Sequence, residues 1–189
     1  MSDRAKTSYK ATKRGVLPRS ELLVLENAAV ARGIRFIRAR RVPITSDYVL
    51  ALHKKAFGPI FDLAGKFRKV DVRYGGKDAP HFYEVPALIK QFCDDLEERC
   101  KHLPDKSDTD RFFKETVSFL AWLQHRFVVI HPFEDYNGRT ARHVTNALLL
   151  RLDLPTLEIA VAGEKERKIY IAAMRSADER DYRALAHLS

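Results

Sequence analysis

The stretch Phe127-Val128-Val129-Ile130-His131-Pro132-Phe133-Glu134-Asp135-Tyr136-Asn137-Gly138-Arg139-Thr140-Ala141-Arg142 decides how this chain is read. An apolar run leads into a dense polar segment, and a second apolar run, Val144 to Leu152, follows it. His131-Pro132 ends the first run as a helix, because proline disfavours helical geometry at the residue before it. A new helix begins near Asn137 or Gly138. Arg139 and Arg142, three apart, share one face of its first turns. A helix N-terminus offers unpaired N–H groups and the positive end of the helix dipole. Asn137-Gly138 permits close backbone approach, and the two arginines add guanidinium forks. Together these make a polyphosphate cradle. Asp135 beside it suits Mg²⁺ once phosphates complete the shell. His131 titrates near neutrality and suits a general base. The combination predicts transfer of a phosphate-containing group to a protonated nucleophile, most simply a hydroxyl.

Upstream, a long helix from Thr109 or Asp110 to Ile130 is apolar on most sides, which places it at the centre of a core. Ser20 is the expected cap of a helix reaching about Arg40, with Leu22, Leu25, Ala29 and Phe36 on its core face. Glu26 sits beside that stripe, at its edge, and Arg32, Arg35 and Arg38 form a solvated basic stripe. Thr45 or Ser46 caps a second helix with Val49, Leu52, Ala56 and Phe57 inward. Residues 67–74 and 81–85 alternate around Gly75-Gly76 and read as a small hairpin or flap. Pro86 opens a third helix carrying Ile89, Phe92, Leu96 and Cys100 on one face. Two further helices are expected over 164–176, with Ile169, Ala172, Ala173 and Ser176 inward, and over 178–188. The class is mainly α: a helical bundle with one small β-hairpin flap. Residues 1–19 form a basic arm, 20–42 an N-terminal helix and 43–189 the main domain.

With 189 residues and 46% apolar side chains, the chain suits one folded domain. No apolar run approaches the roughly 18–20 residues that span a bilayer, so no membrane anchor is expected. The N-terminus lacks the apolar core of a secretory signal. Cys93 and Cys100 lie seven apart; on a helix their Cα atoms stand about 10 Å apart, too far for a disulfide. They read as thiols of a reducing, cytoplasmic compartment. The net charge of +9 points to an acidic or polyanionic partner. No helix-turn-helix or RNA-binding signature accompanies it, which sets nucleic acid aside.

The central stretch resembles the signature of Fic-domain proteins, His-Pro-Phe-x-Asp/Glu-Gly-Asn-Gly-Arg-x-x-Arg. It matches at His131, Pro132, Phe133, Asp135, Asn137, Gly138, Arg139 and Arg142. Ala64-Gly65-Lys66-Phe67-Arg68 resembles the segment before that family's flap, and Tyr170 to Tyr182 its C-terminal helices. The resemblance implies a Fic-type helical bundle and adenylylation, in which AMP moves from ATP, with Mg²⁺, to a Ser, Thr or Tyr hydroxyl of a target protein. On that basis His131 is the base, Phe133 a buried anchor and Asp135 the metal ligand. Asn137, Gly138 and Arg139 bind the α- and β-phosphates, and Arg142 the γ-phosphate. The target pairs with the flap near residues 69–84 by strand addition, and the chain itself is a further candidate substrate.

Two departures stand out. Tyr136 occupies a position where the family has Gly, so a left-handed backbone or close phosphate approach there would be costly. Leu22-Leu23-Val24-Leu25-Glu26-Asn27 matches the family's inhibitory helix at Glu26 and Asn27 and fails at Leu22. The resemblance implies that Glu26 pairs with Arg142 and restrains the site. The competing readings are a catalytically degenerate Fic fold that binds nucleotide or protein, a Fic enzyme using another phosphate donor, and one that removes AMP.

Overall fold

The computed structural model describes residues 12–39, 41–157 and 164–187. Residues 1–11 of the basic arm lie outside them. Thr12 and Gly15 close a turn, and the Lys13 N–H donates to the Ile60 carbonyl at 2.9 Å, which ties this end of the arm to the body. The order of elements is α1 (Arg19–Arg38), α2 (Ser46–Phe57), β1 (Arg73–Tyr74), β2 (Lys77–Asp78), α3 (Val85–Lys101), α4 (Thr109–Ile130), α5 (Asn137–Arg151), α6 (Glu164–Asp178) and α7 (Arg183–Ala186). The protein is mostly helical, with one antiparallel two-stranded sheet, as the apolar periodicity predicts.

The central core forms where α2, α3, α4 and α5 meet. Val49, Leu52, Ile89, Phe92, Leu96, Leu123, Phe127, Val144 and Leu148 are fully enclosed in it. Asp108 caps α4 by accepting from the Arg111 N–H, and Thr45 caps α2 through Tyr48. A smaller cluster of Leu22, Ala29, Ala56, Phe57, Ile60 and Ala64 fastens α1 to α2, and Tyr136 packs against it. A third holds α6 and α7 on α4 through Ala121, Ala173, Met174, Ala177 and Leu185.

Several expectations are corrected. Helix α1 starts at Arg19 behind Pro18, without a side-chain cap, so Ser20 is not its cap. Its buried face is Leu22, Glu26, Ala29, Gly33 and Ile37. Leu25 and Phe36 are half-buried, and Glu26 lies inside the face rather than at its edge. Arg32 leaves the solvated stripe, because its Nε donates to the Ala56 carbonyl at 3.0 Å. Residues 81–85 are not a strand. His81 caps a single 3₁₀ turn, Phe82–Glu84, that runs into α3. The hairpin pairs only Arg73 with Asp78 and Tyr74 with Lys77. Helix α6 buries Ala173, Met174 and Ala177 and exposes Ile169. The last helix starts at Arg183, since Arg180 takes a left-handed turn with φ 63°. Cys93 and Cys100 are unpaired thiols, and burial pushes them up to about 12 and about 11.

Two buried features fix how α1 lies on the bundle. Gly33 faces the His143 ring so closely that an added Cβ would stand 2.4 Å from Nε2. Burial and the neighbouring Arg142 and Arg139 hold His143 down at about 4. Burial likewise lowers His53 to about 4. Gly33→Ala therefore forces the helix or the ring to move. We expect it to lower unfolding free energy by about 1–3 kcal/mol in urea titrations. Both histidines stay neutral when folded but take protons when unfolded below about pH 6.5. Stability is therefore complete above that pH and falls as pH drops toward about 4, by ~1.4 kcal/mol per unit per histidine. Urea midpoints measured between pH 7 and 5 check this. Loss at Glu26, a carboxyl with a lowered pKa, comes only below its unfolded value of 4.5, outside that window.

Candidate active site

The polar stretch forms the connection between α4 and α5. Both of its hinges are non-glycine residues in the left-handed region, His131 at φ 50° and Tyr136 at φ 60°. Such geometry costs an L-residue about 1–2 kcal/mol, so the surroundings must hold it. Asn137 supplies the inner brace: its Oδ1 accepts from the Phe133 N–H at 2.9 Å and its Nδ2 donates to the Phe133 carbonyl at 2.8 Å. Phe133 is the buried anchor expected of it, 1% exposed, and stacks on His53 at 3.7 Å and 11°. His53 in turn accepts from the Gly65 N–H through Nδ1 at 2.9 Å and donates from Nε2 to the Asp135 carbonyl at 3.3 Å. A protonated ring would face the Gly65 N–H with a second donor, which agrees with the depressed pKa.

His131 closes α4. A carbonyl can only accept, so the Nδ1 contact to the Val128 carbonyl at 3.1 Å puts the proton on Nδ1 and the lone pair on Nε2. Its ring stacks on Tyr74 of the flap at 5.0 Å and 12°. Asp135 is exposed, and its Oδ1 accepts from the Tyr136 N–H at 2.8 Å. Among the described residues no three metal-ligating side chains gather. A divalent ion held by Asp135 would therefore draw its other oxygens from phosphate and water, which is how Mg²⁺ is commonly bound.

Asn137, Gly138 and Arg139 open α5, where the first N–H groups have no helical partner. The side chain of Asn137 is consumed by Phe133, so only its backbone N–H is available to an anion. Arg142 is half-buried, and among the described residues no hydrogen bond or ion pair engages its guanidinium. Arg139 Nη1 is buried and also lacks a partner there. Two guanidiniums with unspent donors at one helix start fit an anionic ligand.

Glu26 reaches this place from α1, but to a different arginine from the one expected. Its Oε2 accepts from Arg139 Nη2 at 2.8 Å and from Arg19 Nη1 at 3.2 Å, and its Oε1 accepts from the Tyr136 hydroxyl at 3.0 Å. Arg139, not Arg142, is therefore its partner in the motif. The reason is position: Arg142 lies one turn further from the helix start, while Tyr136 sits at the start and anchors the carboxylate there. Glu26 is only 4% exposed. Burial pushes its carboxyl up, yet Arg139, the Tyr136 hydroxyl and Arg19 more than offset this and leave it lowered.

The residue that departs from the family pattern has its ring packed into the fold. The Tyr136 ring stacks on Phe57 at 4.3 Å and 12°, tilts against Phe61, and lies under the Arg139 guanidinium at 5.1 Å. Stacking of this kind contributes about 0.5–1.5 kcal/mol beyond burial, comparable to the left-handed cost. Burial, Glu26 and Asp135 all raise the hydroxyl's pKa, so it stays a donor. Tyr136→Phe keeps the ring and deletes the bond. We expect a loss of about 0.5–1.5 kcal/mol in unfolding free energy at neutral pH, read from urea titration.

His53, Arg68, Tyr74 and the Gly33–His143 contact belong to this site without a motif that marks them. Arg68 belongs to the segment noted before the flap; for the others the sequence carried no signal beyond residue type.

Comparison with known proteins gives the family. The Fic/DOC family model matches residues 43–149, more than half of the chain, and the chain belongs to that family. The protein adenylyltransferase Fic of Drosophila melanogaster is 30% identical over 145 residues, which cover 76% of this chain and 27% of that protein. That of Drosophila persimilis is also 30% identical, over 76% and 26%. The chain thus spans about a quarter of the length of these curated relatives. Among solved structures, a fragment of Fic-1 from C. elegans aligns with a TM-score of 0.68 and 24% identity, over 86% of this chain and 46% of that one. The N-terminal Fic domain of a VirB-translocated effector from Bartonella quintana, solved with bound ADP, aligns with a TM-score of 0.72 and 14% identity, over 100% and 94%. At these identities the structures speak to fold.

Proposed function

We propose that this chain is a protein adenylyltransferase that moves AMP from ATP to a hydroxyl side chain of a target protein. The observation that carries the reading is the orientation of His131. Its Nδ1 is committed to Val128, so Nε2 holds the lone pair, in the same loop as a helix start bearing Arg139 and Arg142. The curated relatives that share the family are adenylyltransferases.

In this reading the target hydroxyl gives its proton to His131 Nε2 while its oxygen forms a bond to the α-phosphorus of ATP. The bond from that phosphorus to the bridging oxygen breaks, and its electron pair leaves with pyrophosphate. Gly138 and Arg139, with the Asn137 N–H, hold the α- and β-phosphates, and Arg142 the γ-phosphate. Asp135 would hold Mg²⁺, which when bound neutralises phosphate charge. The target backbone adds as a strand to the flap near residues 69–84. Thiols at Cys93 and Cys100 suit a cytoplasmic setting.

Glu26 acts as a brake in this scheme. It occupies Arg139, a phosphate ligand, and places a carboxylate where polyphosphate must go. Release of α1 exposes Arg139 to the nucleotide. The test compares wild type, Glu26→Gly and His131→Ala with α-labelled and γ-labelled ATP and a cell lysate. We expect transfer of the α-label only, at least tenfold more in Glu26→Gly than in wild type, and none in His131→Ala. Transfer of the γ-label, or labelling that survives His131→Ala, would overturn the assignment. Equal labelling by wild type and Glu26→Gly would sink the brake.

A further inference from the structure

The flap is too short to hold itself. Its strands pair two residues each, and one further backbone bond, from the Ala79 N–H to the Val72 carbonyl at 3.0 Å, closes it. What anchors its stem is Arg68. This arginine is 2% exposed, among the largest enclosed side chains of the molecule. Its Nη1 donates to the Val70 carbonyl at 2.9 Å and its Nη2 to the Pro80 carbonyl, one on each stem of the flap. Its Nε donates to the His131 carbonyl at 2.8 Å, and its own N–H to the Pro132 carbonyl at 3.0 Å. Asp71 Oδ1 stands 3.7 Å from Nη1 as the counter-charge. The same carboxylate takes the Phe82 N–H and the His81 ring at 2.9 Å each, which closes the second stem.

We propose that Arg68 is a positioning residue for the transfer reaction: it locks both stems of the flap to the backbone of the His131 loop, so that target strand and base are presented as one rigid unit. The inference rests on the adenylyl-transfer reading of the site. The choice of arginine follows from its donors. Nε, Nη1 and Nη2 each reach a different carbonyl at once, and a guanidinium holds those donors in a fixed fork that an ammonium does not. A buried cation without such partners would be strongly disfavoured, so the contacts must all be kept. Tyr74 completes the link from the other side, since it rides on the flap and stacks on the His131 ring. At its far end the flap is tied separately: Lys77 pairs with Asp178, which also meets His125 Nε2 at 3.0 Å. The nucleotide cradle on α5 makes none of the Arg68 contacts. Loss of Arg68 should therefore separate presentation of the hydroxyl from binding of ATP. A misplacement of about 1 Å between reacting groups lowers rate by about 10²-fold.

The experiment places Arg68→Met and Arg68→Lys in the full chain carrying Glu26→Gly. Hydrogen exchange is followed over residues 69–80 and 131–133, ATP affinity by calorimetry, and transfer from α-labelled ATP with lysate as acceptor. For Arg68→Met we expect exchange to rise at least tenfold in both segments together. Transfer should fall about 100-fold, with ATP affinity within about threefold of the parent. Arg68→Lys, which keeps the charge but not the fork, should fall between. Unchanged exchange in either segment would overturn the proposal. Collapse of melting temperature and ATP affinity together in both variants would also overturn it, leaving a support of the core. Should the Glu26→Gly parent itself transfer nothing, the activity reading fails, while exchange and ATP affinity still decide what Arg68 holds.

Discussion

Everything at this site depends on keeping one loop in a shape its own backbone resists. His131 and Tyr136 both sit in the left-handed region without being glycine, and together they cost about 2–4 kcal/mol. The restraint comes from inside and from behind. Asn137 braces Phe133 from inside, and His53 supports it from behind by stacking on its ring and binding the Asp135 carbonyl. Arg68 takes the carbonyls of His131 and Pro132. Each of these partners is buried. The core thus holds the backbone of this loop in place.

Charge is handled by the same economy. Glu26 is enclosed, and an enclosed carboxylate is tolerated only with cations and donors around it. Arg19, Arg139 and the Tyr136 hydroxyl provide them. The contact of Glu26 with the start of α5 is thus also part of what docks α1. Gly33 against His143 sets how closely the helix approaches, and Arg32 ties it to the end of α2. Tyr136 joins these features: its ring belongs to the small core under α1 and its hydroxyl to the carboxylate that α1 delivers. The substituted position of the motif is thereby part of how α1 is held.

Much of the architecture could be read from pattern. Helices α2 to α5 announce themselves through apolar periodicity and caps, and their inward faces agree with expectation at Val49, Leu52, Ile89, Phe92, Val144 and Leu148. Phe133 is buried, and Arg139 and Arg142 stand on the first turns of α5, as their spacing predicts. Failures fell where local pattern is weak. The alternation at 81–85 spans a single turn, too short to distinguish a strand from a 3₁₀ cap. The inward face of α1 is not legible because a buried Glu and Gly do not look apolar. The partner of Glu26 is not legible because spacing in a motif says nothing of where a distant helix crosses it.

The sequence by itself determined the class of fold, the helix boundaries around His131 and the gathering of a histidine, an acid and two arginines at one helix start, because these follow from short-range rules: helical period, proline geometry, the spacing of residues along a helix. Only the tertiary structure decided which arginine Glu26 meets, that Tyr136 shares its carboxylate, and that Arg68 joins the flap to the His131 loop. Those contacts span 113, 110 and 63 residues of chain respectively. At such separations the partner is chosen by how helices pack around a common core and by the need of each buried charge for a donor or counter-charge, neither of which is written in local order.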